Sequence, residues 1–464
     1  MAAMTLMSPV DLALLAAEIG SRTLHIGVLL VFAPPPDGRE NFAEAAYREA
    51  LTAVTAQAAL MAEPVISLKT GGLPAWEPAD HIDMARHLRR LALPHPGDDT
   101  ELFELVARLH ESRLDRSRPM WEGYLIEGLA DGRFALYGKI HHATLDGMSG
   151  IRMIEQSLSP DADRRGMALL LTSDAPQPSR ERGFPNPFEL VRDGVAGALS
   201  TVNVARRTTV GALDWLGKAV TTDSTPLPMQ APRTRFDGKV GPERSFVGRS
   251  WPKERLRAVQ RATGASGNEV TLAMCAGALR GYLLERDALP SDSLIAMVPI
   301  AQRQREDATG GNSLGLALCT LGTDLAEPRA RLERIRQSMA DAKRRVREMG
   351  YVASMIASIP ALAPNVARML PTGTLTPPSY NVVISNVPGP TKPLFWNGAA
   401  LQHMYPLSIV FDGTGLNITI CHYADRLDFG FLAHPESAPE LERFTDETET
   451  ALGDLERISK VHST

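Results

Sequence analysis

At 464 residues the chain is too long for one ordinary hydrophobic core, so two domains of roughly 150 to 200 residues, with room for a cleft between them, are the expected plan. A net charge of -5 excludes a nucleic-acid partner held by phosphate neutralisation, and ordinary apolar and charged fractions point to a globular protein. The three cysteines, Cys275, Cys319 and Cys421, stand apart in apolar segments, so neither a disulfide framework nor a metal site is signalled and a cytoplasmic setting is expected.

In chain order, "MAAMTLMSPVDLALLAAEIG" carries Asp11 and Glu18 within its apolar stretch and no basic leader, which argues against a signal peptide. Ser8 and Asp11 before an apolar stripe predict a capped helix, and "LHIGVLLVFA" after it predicts a strand. "NFAEAAYREALTAV" reads as a helix, "RFALYGKI" as a strand, and "MSGIRMIEQSL" as a helix with Ile151, Ile154 and Leu158 on one face. From Ser173 to about Arg235 the ends turn rich in Pro, Arg and Thr around one helical segment near Phe188 to Val220, an inter-domain connection. The expected division is therefore 1–172, 173–235 and 236–464.

Helices are predicted over Lys253 to Thr263, stopped by Gly264, and over Glu269 to Glu285, with "SLIAMVPIA" following as a buried strand. Leu332, Ile335, Met339, Ala342, Val346 and Met349 share a helical face opposite Arg329, Arg331, Arg334, Arg336, Lys343, Arg344, Arg345 and Arg347. Those bases read as a solvated face, with contact to anionic lipid as the sharper alternative. No run reaches the ~20 apolar residues of a membrane span. The nearest, Tyr351 to Leu370, is broken by Pro360 and Pro364 and reads as short helices, buried or lying on a membrane surface. "YNVVISNV", "LNITICHYA" and "RLDFGFLA" are strand-like, and a last helix carries Leu441, Phe444, Leu452, Leu455 and Ile458. Strands and helices mix in both halves, an α/β chain of the α+β type.

The chemistry concentrates at "YGKIHHATLDGMSG", where His141 and His142 stand between a strand and a helix. An imidazole titrates at about 6.5, so it can take a proton from an alcohol near neutrality once it is held in place. Asp146 and Gly147 can fold back to lock such a turn. "GMSGI" resembles a serine-hydrolase nucleophile elbow but has Ile151 where G-x-S-x-G needs glycine.

"HHATLDG" resembles the H-H-x-x-x-D-G signature of CoA-dependent acyltransferases, shared by the chloramphenicol acetyltransferase-like fold and by peptide-synthetase condensation domains. "LDRSRPMWEGYLIEGLADGRFALYGKIHHATLDGMSG" is similar to the bacterial wax ester synthase/diacylglycerol acyltransferase family over a long unbroken stretch. "MSPVDLALL", "GNEVTLAMCAGALRGYL", "VPIAQR", "GGNSLGLALCTLGTDLAEPRARLERI", "SNVPGP" and "GLNITICHYADRLDFGF" continue the likeness, in order, along nearly the whole chain.

The resemblance implies two chloramphenicol acetyltransferase-like domains with a substrate channel between them. It implies His142 as general base, His141 in support, Asp146 as a structural carboxylate and Gly147 completing the turn. Arg303 stands where related enzymes pair an arginine with that aspartate; its other reading is an exposed residue at a strand end. Asn268 has two open readings, an oxyanion donor and a helix N-cap that would explain Glu269 as well, Glu269 replacing the family's usual aspartate. Pro119-Met120-Trp121 replaces Pro-Leu-Trp, a volume-conserving change. Pro119, Trp121 and Ser385, Asn386, Pro388 and Gly389 of "SNVPGP" are expected to shape the substrate channel.

The implied reaction moves a long-chain acyl group from acyl-CoA to diacylglycerol or a fatty alcohol, at a peripheral membrane or lipid-droplet surface, with no metal and no cofactor beyond acyl-CoA as substrate. A condensation-type enzyme using another donor or acceptor, and an inactive lipid-binding or droplet protein, are the alternatives.

Overall fold

The structure, a computed structural model, describes residues 4–7, 9–19, 22–35, 42–52, 60–67, 70–79, 81–145, 147–168, 226–302, 313–349, 364–365, 368 and 376–460. The first half contributes β1 (Thr5–Leu6), α1 (Pro9–Ala17), β2 (His25–Ala33), α2 (Phe42–Leu51), β3 (Ala62–Ile66), β4 (Pro74–Pro78), α3 (Met84–His87), β5 (Leu88–Ala92), α4 (Asp99–Glu111), β6 (Trp121–Glu127), β7 (Phe134–His141) and α5 (Gly147–Ser157). The second half contributes β8 (Ser245–Pro252), α6 (Lys253–Thr263), α7 (Gly267–Leu284), β9 (Ile295–Gln302), β10 (Ser313–Thr320), α8 (Pro328–Met349), β11 (Val382–Pro388), β12 (Phe395–Trp396), β13 (Ala399–Leu407), β14 (Leu416–Tyr423), β15 (Arg426–Ala433) and α9 (Arg443–Lys460).

Two six-stranded mixed sheets form, in the orders β12-β13-β2-β7-β6-β5 and β10-β9-β11-β14-β15-β8, beside a small sheet β1-β4-β3. The division expected at 172 and 235 therefore does not describe sheet membership. β12 and β13 leave the second half for this sheet: β13 pairs antiparallel with β2, Leu407 opposite Gly27 and Leu401 opposite Phe32, and β12 pairs with β13 at the edge. Close approach lets β13 cross the second sheet, because a Cβ on Gly430 would lie 1.9 Å from the Pro406 carbonyl oxygen and one on Gly248 would lie 2.9 Å from the Tyr405 ring. Asp428, fully buried, fastens the crossing by accepting from the Met404 amide at 2.6 Å and from the Ser250 hydroxyl.

Local signals explain most elements. α6 ends where Gly264 adopts φ 69, the left-handed conformation that glycine takes without a Cβ penalty. α7 is apolar on all sides because α6, α8 and α9 surround it, and its residues Val270, Leu272, Met274, Leu279 and Leu283 are fully buried. One core cluster joins Leu29 and Tyr137 of the first sheet to Phe246 and Phe431 of the second. The small sheet is held against the histidine turn by a separate cluster of Met7, Trp76, Met120 and Ala143.

α8 keeps the predicted apolar face, with Leu332, Ile335, Met339, Ala342 and Val346 buried. The expected solvated face opposite it is only partly so, since Arg331 and Arg345 are buried. Arg331 is drawn in because its guanidinium donates to the carbonyls of Leu325 and Ala326, at 2.9 and 2.6 Å. The helical segment expected near 188–220, the cap expected at Ser8 and most of the segment 351–370 lie outside the described residues.

Candidate active site

β7 ends at His141 and α5 begins at Gly147, so the histidine pair straddles the last strand residue and the first residue of the turn. Alternation along β7 sends the two rings different ways. His141 is fully buried, and its Nδ1 accepts from the Ala143 amide at 3.1 Å, which pins the turn. With Nδ1 accepting, the ring proton sits on Nε2. That atom makes no hydrogen bond and faces the buried Glu18 carboxylate at 3.7 Å. Burial pushes the His141 imidazole down to about 4, with Glu18 opposing the shift, so the ring is neutral near pH 7.

His142 is half-buried and lines a cavity of about 470 Å³ between the two large sheets. Its amide donates to the Leu24 carbonyl at 2.9 Å, and the Leu24 amide donates to Glu18 Oε1 at 3.1 Å. Glu18 is itself held by Arg116, at 2.9 Å. A carboxylate thus anchors the Leu24 main chain that in turn holds His142.

Most of the cavity wall is apolar: Val28, Leu136 and Ile140 from the first sheet, Ile151 and Ile154 from α5, Met297 and Val383 from the second sheet. Apart from His142, the titratable side chains among the described lining residues are Glu122, Tyr124 and Tyr137. Glu122 accepts from the Tyr124 hydroxyl at 2.6 Å and pairs with the buried Lys139 ammonium at 3.2 Å. Burial raises both phenols, with Glu122 adding to the rise at each. Neither phenol is therefore a base near neutrality, and the Glu122 charge is already committed. His142 is the imidazole left facing an apolar, lipid-sized space.

Residues 7–271 match the Wax ester synthase/diacylglycerol acyltransferase catalytic domain, and residues 310–456 match the WS/DGAT C-terminal domain. The chain belongs to the wax ester synthase/diacylglycerol acyltransferase family. It is an acyltransferase. It is 40% identical over 457 residues to a Mycobacterium tuberculosis protein provisionally named a diacylglycerol O-acyltransferase, covering 97% of this chain and 99% of that one. A second such protein from the same organism, tgs2, is 38% identical over 468 residues, covering 98% and 99% of the two chains. Among solved structures, the wax ester synthase/diacylglycerol acyltransferase from Marinobacter aquaeolei VT8 is 33% identical, with a TM-score of 0.76 over 98% of this chain and 100% of that one. The first condensation domain of the CDA synthetase, at 17% identity and TM-score 0.58 over 99% and 96% of the two chains, shares the fold. The expected two-part fold of mixed sheets is thereby borne out.

Within this family member the predicted site residues divide into three groups. His142, Gly147, Trp121, Ser385, Asn386 and Pro388 line the cavity. Trp121 is fixed there by its indole N–H, which donates to the Leu60 carbonyl at 2.8 Å, and by stacking on His87 at 4.5 Å between ring centroids. Pro119 and Gly389 are not among the described lining residues. Pro119 is buried beside the strand entry, and a Cβ on Gly389 would lie 2.7 Å from the His422 carbonyl oxygen, which makes it a packing position against β14. Asp146 and Arg303 lie outside the described residues.

Asn268 is not the N-cap of α7. Ser266 takes that place, its hydroxyl accepting from the Glu269 amide while the Glu269 carboxylate accepts from the Ser266 amide at 2.8 Å. Glu269 is thus accounted for by the capping box and by its ion pair with Lys343 at 3.5 Å. Asn268 Oδ1 instead accepts from Asn386 Nδ2 at 3.2 Å, so α7 and the "SNVPGP" strand meet at an amide pair. Asn386 is the member of the pair that lines the cavity, and its Oδ1 is buried without a hydrogen-bond partner.

Glu18, Arg116 and Lys139 complete the site and were not singled out by sequence reasoning. The signal for Glu18 was present: a carboxylate inside an apolar helix end requires a partner. Lys139 was legible from the alternation that buries Tyr137 and His141, its neighbours two residues away on one face of β7.

Proposed function

We propose that the enzyme transfers a long-chain acyl group from acyl-CoA to diacylglycerol, a fatty alcohol or both, with His142 as the general base. The observation that carries this reading is the placement of His142 on the rim of an apolar cavity, with its backbone locked to Leu24 and, through it, to Glu18. The acceptor hydroxyl gives its proton to His142 as its oxygen bonds to the thioester carbonyl carbon. The tetrahedral oxyanion then collapses, the carbon–sulfur bond breaks, and the imidazolium returns the proton to the departing CoA sulfur. No covalent acyl-enzyme and no cofactor enter this sequence. His141, Asp146 and Arg303 act on the turn rather than on substrate.

The role at Asn268 is exercised through Asn386. Asn386, which lines the cavity and is held by Asn268 at 3.2 Å, would turn its side-chain amide to present an N–H to the oxyanion.

Association with a membrane or lipid droplet on the cytoplasmic side would be peripheral. No helix among the described residues is long and apolar enough to cross a bilayer. Leu6 of β1, Ile66 of β3 and Leu73 just before β4, 50%, 76% and 56% exposed, are large apolar side chains left at the surface.

The test is incubation of wild type and His142→Ala with palmitoyl-CoA, offering diacylglycerol and hexadecanol separately, and following CoA release and the ester. Ester from wild type alone establishes the reaction, and the better acceptor identifies its product. No ester from wild type, or equal rates from both proteins, overturns it.

A further inference from the structure

Two glycines, Gly123 of β6 and Gly138 of β7, lie directly opposite one another in the middle of the first sheet. Glycine in a strand interior weakens the strand and commonly marks a place where something else approaches the backbone. On the outer strands this rung continues as Val28, opposite Gly138, and Leu88, opposite Gly123. All four residues line the cavity.

The rungs on either side are bulky. Towards the histidine turn, Ile140 faces both Ile26 and Trp121. On the far side, Leu136 faces both Leu30 and Leu125. Residues two apart on a strand share a face, so the paired glycines open a furrow across the sheet between two ridges of large apolar side chains. α5, whose Ile151 and Ile154 also line the cavity, lies over this face as its roof. A Cβ built on Gly138 meets nothing within 4 Å, so the space above it is open rather than filled by a neighbour.

We infer that the Gly123–Gly138 furrow is the seat of a linear hydrocarbon tail of the substrate, and that Gly138 sets the length of chain the enzyme accepts. The inference rests on the acyl-transfer reading above. The flanking ridges lie four residues, roughly 14 Å, apart along the strand at about 3.4 Å per residue, and the single rung left open between their side chains suits an unbranched polymethylene chain. Gly138 stands four residues before His142, so a chain whose carbonyl lies at the imidazole reaches the furrow only when it is long.

The experiment measures kcat/KM of wild type, Gly138→Ala and Gly138→Val with octanoyl-, dodecanoyl- and palmitoyl-CoA, together with palmitate binding by titration calorimetry. The palmitoyl-to-octanoyl preference of Gly138→Val should fall by about tenfold or more, because occluding a site for several methylenes exceeds the 10- to 200-fold scale of one. Gly138→Ala should shift it in the same direction by less. Should Gly138→Val not fold, Gly138→Ala, whose added methyl meets open space, carries the test alone. A folded variant with the wild-type chain-length preference and palmitate affinity overturns the furrow. Wild type that binds palmitate but makes no ester from any acyl-CoA overturns the chemistry at His142 and leaves the furrow standing.

Discussion

The two large sheets have the same number of strands and are spent differently. The second is packed as a core: α6, α7, α8 and α9 cover it, and residues such as Ile418, Ile420, Phe429 and Phe431 are wholly buried. The first buries His25, His110, Lys139 and His141 in its strands or against them, and holds the glycine pair. Both sheets bury polar side chains, but among the described residues the strands of the second bury one charged group, Asp428, whereas those of the first bury His25, Lys139 and His141 and leave the open glycine rung, at a cost in stability. The cavity lies where the two sheets face one another.

Five measurements would break or sharpen that contrast. The largest effect belongs to the first sheet: His142→Ala should lower kcat/KM by roughly 10²–10⁴-fold, read by CoA release, with little change in the thermal midpoint because the ring is half-buried at a cavity wall. Leu279→Ala, in the apolar helix against the second sheet, should do the opposite, lowering unfolding free energy by about 2–5 kcal/mol in urea while KM of the folded fraction stays at the wild-type value. Glu18→Gln keeps the shape of the carboxylate but removes its charge beside Arg116. It should cost about 1–3 kcal/mol and reduce kcat more than it changes KM, because the histidine turn loses its anchor.

Acid should act first on the first sheet. Burial lowers His141 to about 4, His110 to about 3 and His25 well below its ordinary value, against His422 at about 4 in the second sheet. The unfolded chain protonates these rings below about 6.5 while the folded protein does not, so the unfolded state binds more protons and stability falls as pH drops from about 6.5 towards 4. Hydrogen exchange at pH 5 should show β2 and β7 amides losing protection before those of β14 and β15. Smallest of all, Asp454→Asn, which breaks an ion pair with Arg457 on the surface of α9, should move stability by no more than about 0.5 kcal/mol.

Much of this arrangement was legible in the sequence where the determining chemistry is local. The strand and helix flanking the histidine pair, and the stop of α6 at Gly264, follow from side-chain period and backbone freedom. What was not legible depends on distant neighbours. β13, "AALQHMYPL", alternates poorly and carries Pro406, and nothing nearby indicates that it pairs with β2. Arg331 was assigned to solvent by its period, yet two carbonyls at the mouth of α8 draw it in. Asn268 and Ser266 compete for one cap two residues apart, and it is the contact with Asn386, more than a hundred residues away, that assigns Asn268 elsewhere. Asp428 and Ser250 fasten β13 only once three distant strands have met.

The pairing of β13 with β2 also bears on how the protein is made. The sheet that carries the histidines cannot be completed until synthesis has passed residue 407, because one of its strands is among the last to leave the ribosome. Until then β2 presents an unpaired edge, the kind of surface on which nascent chains associate wrongly. Catalytic competence therefore comes late in translation and all at once, and a fragment ending at the inter-domain connection would carry every residue of the histidine turn without the strand that closes its sheet.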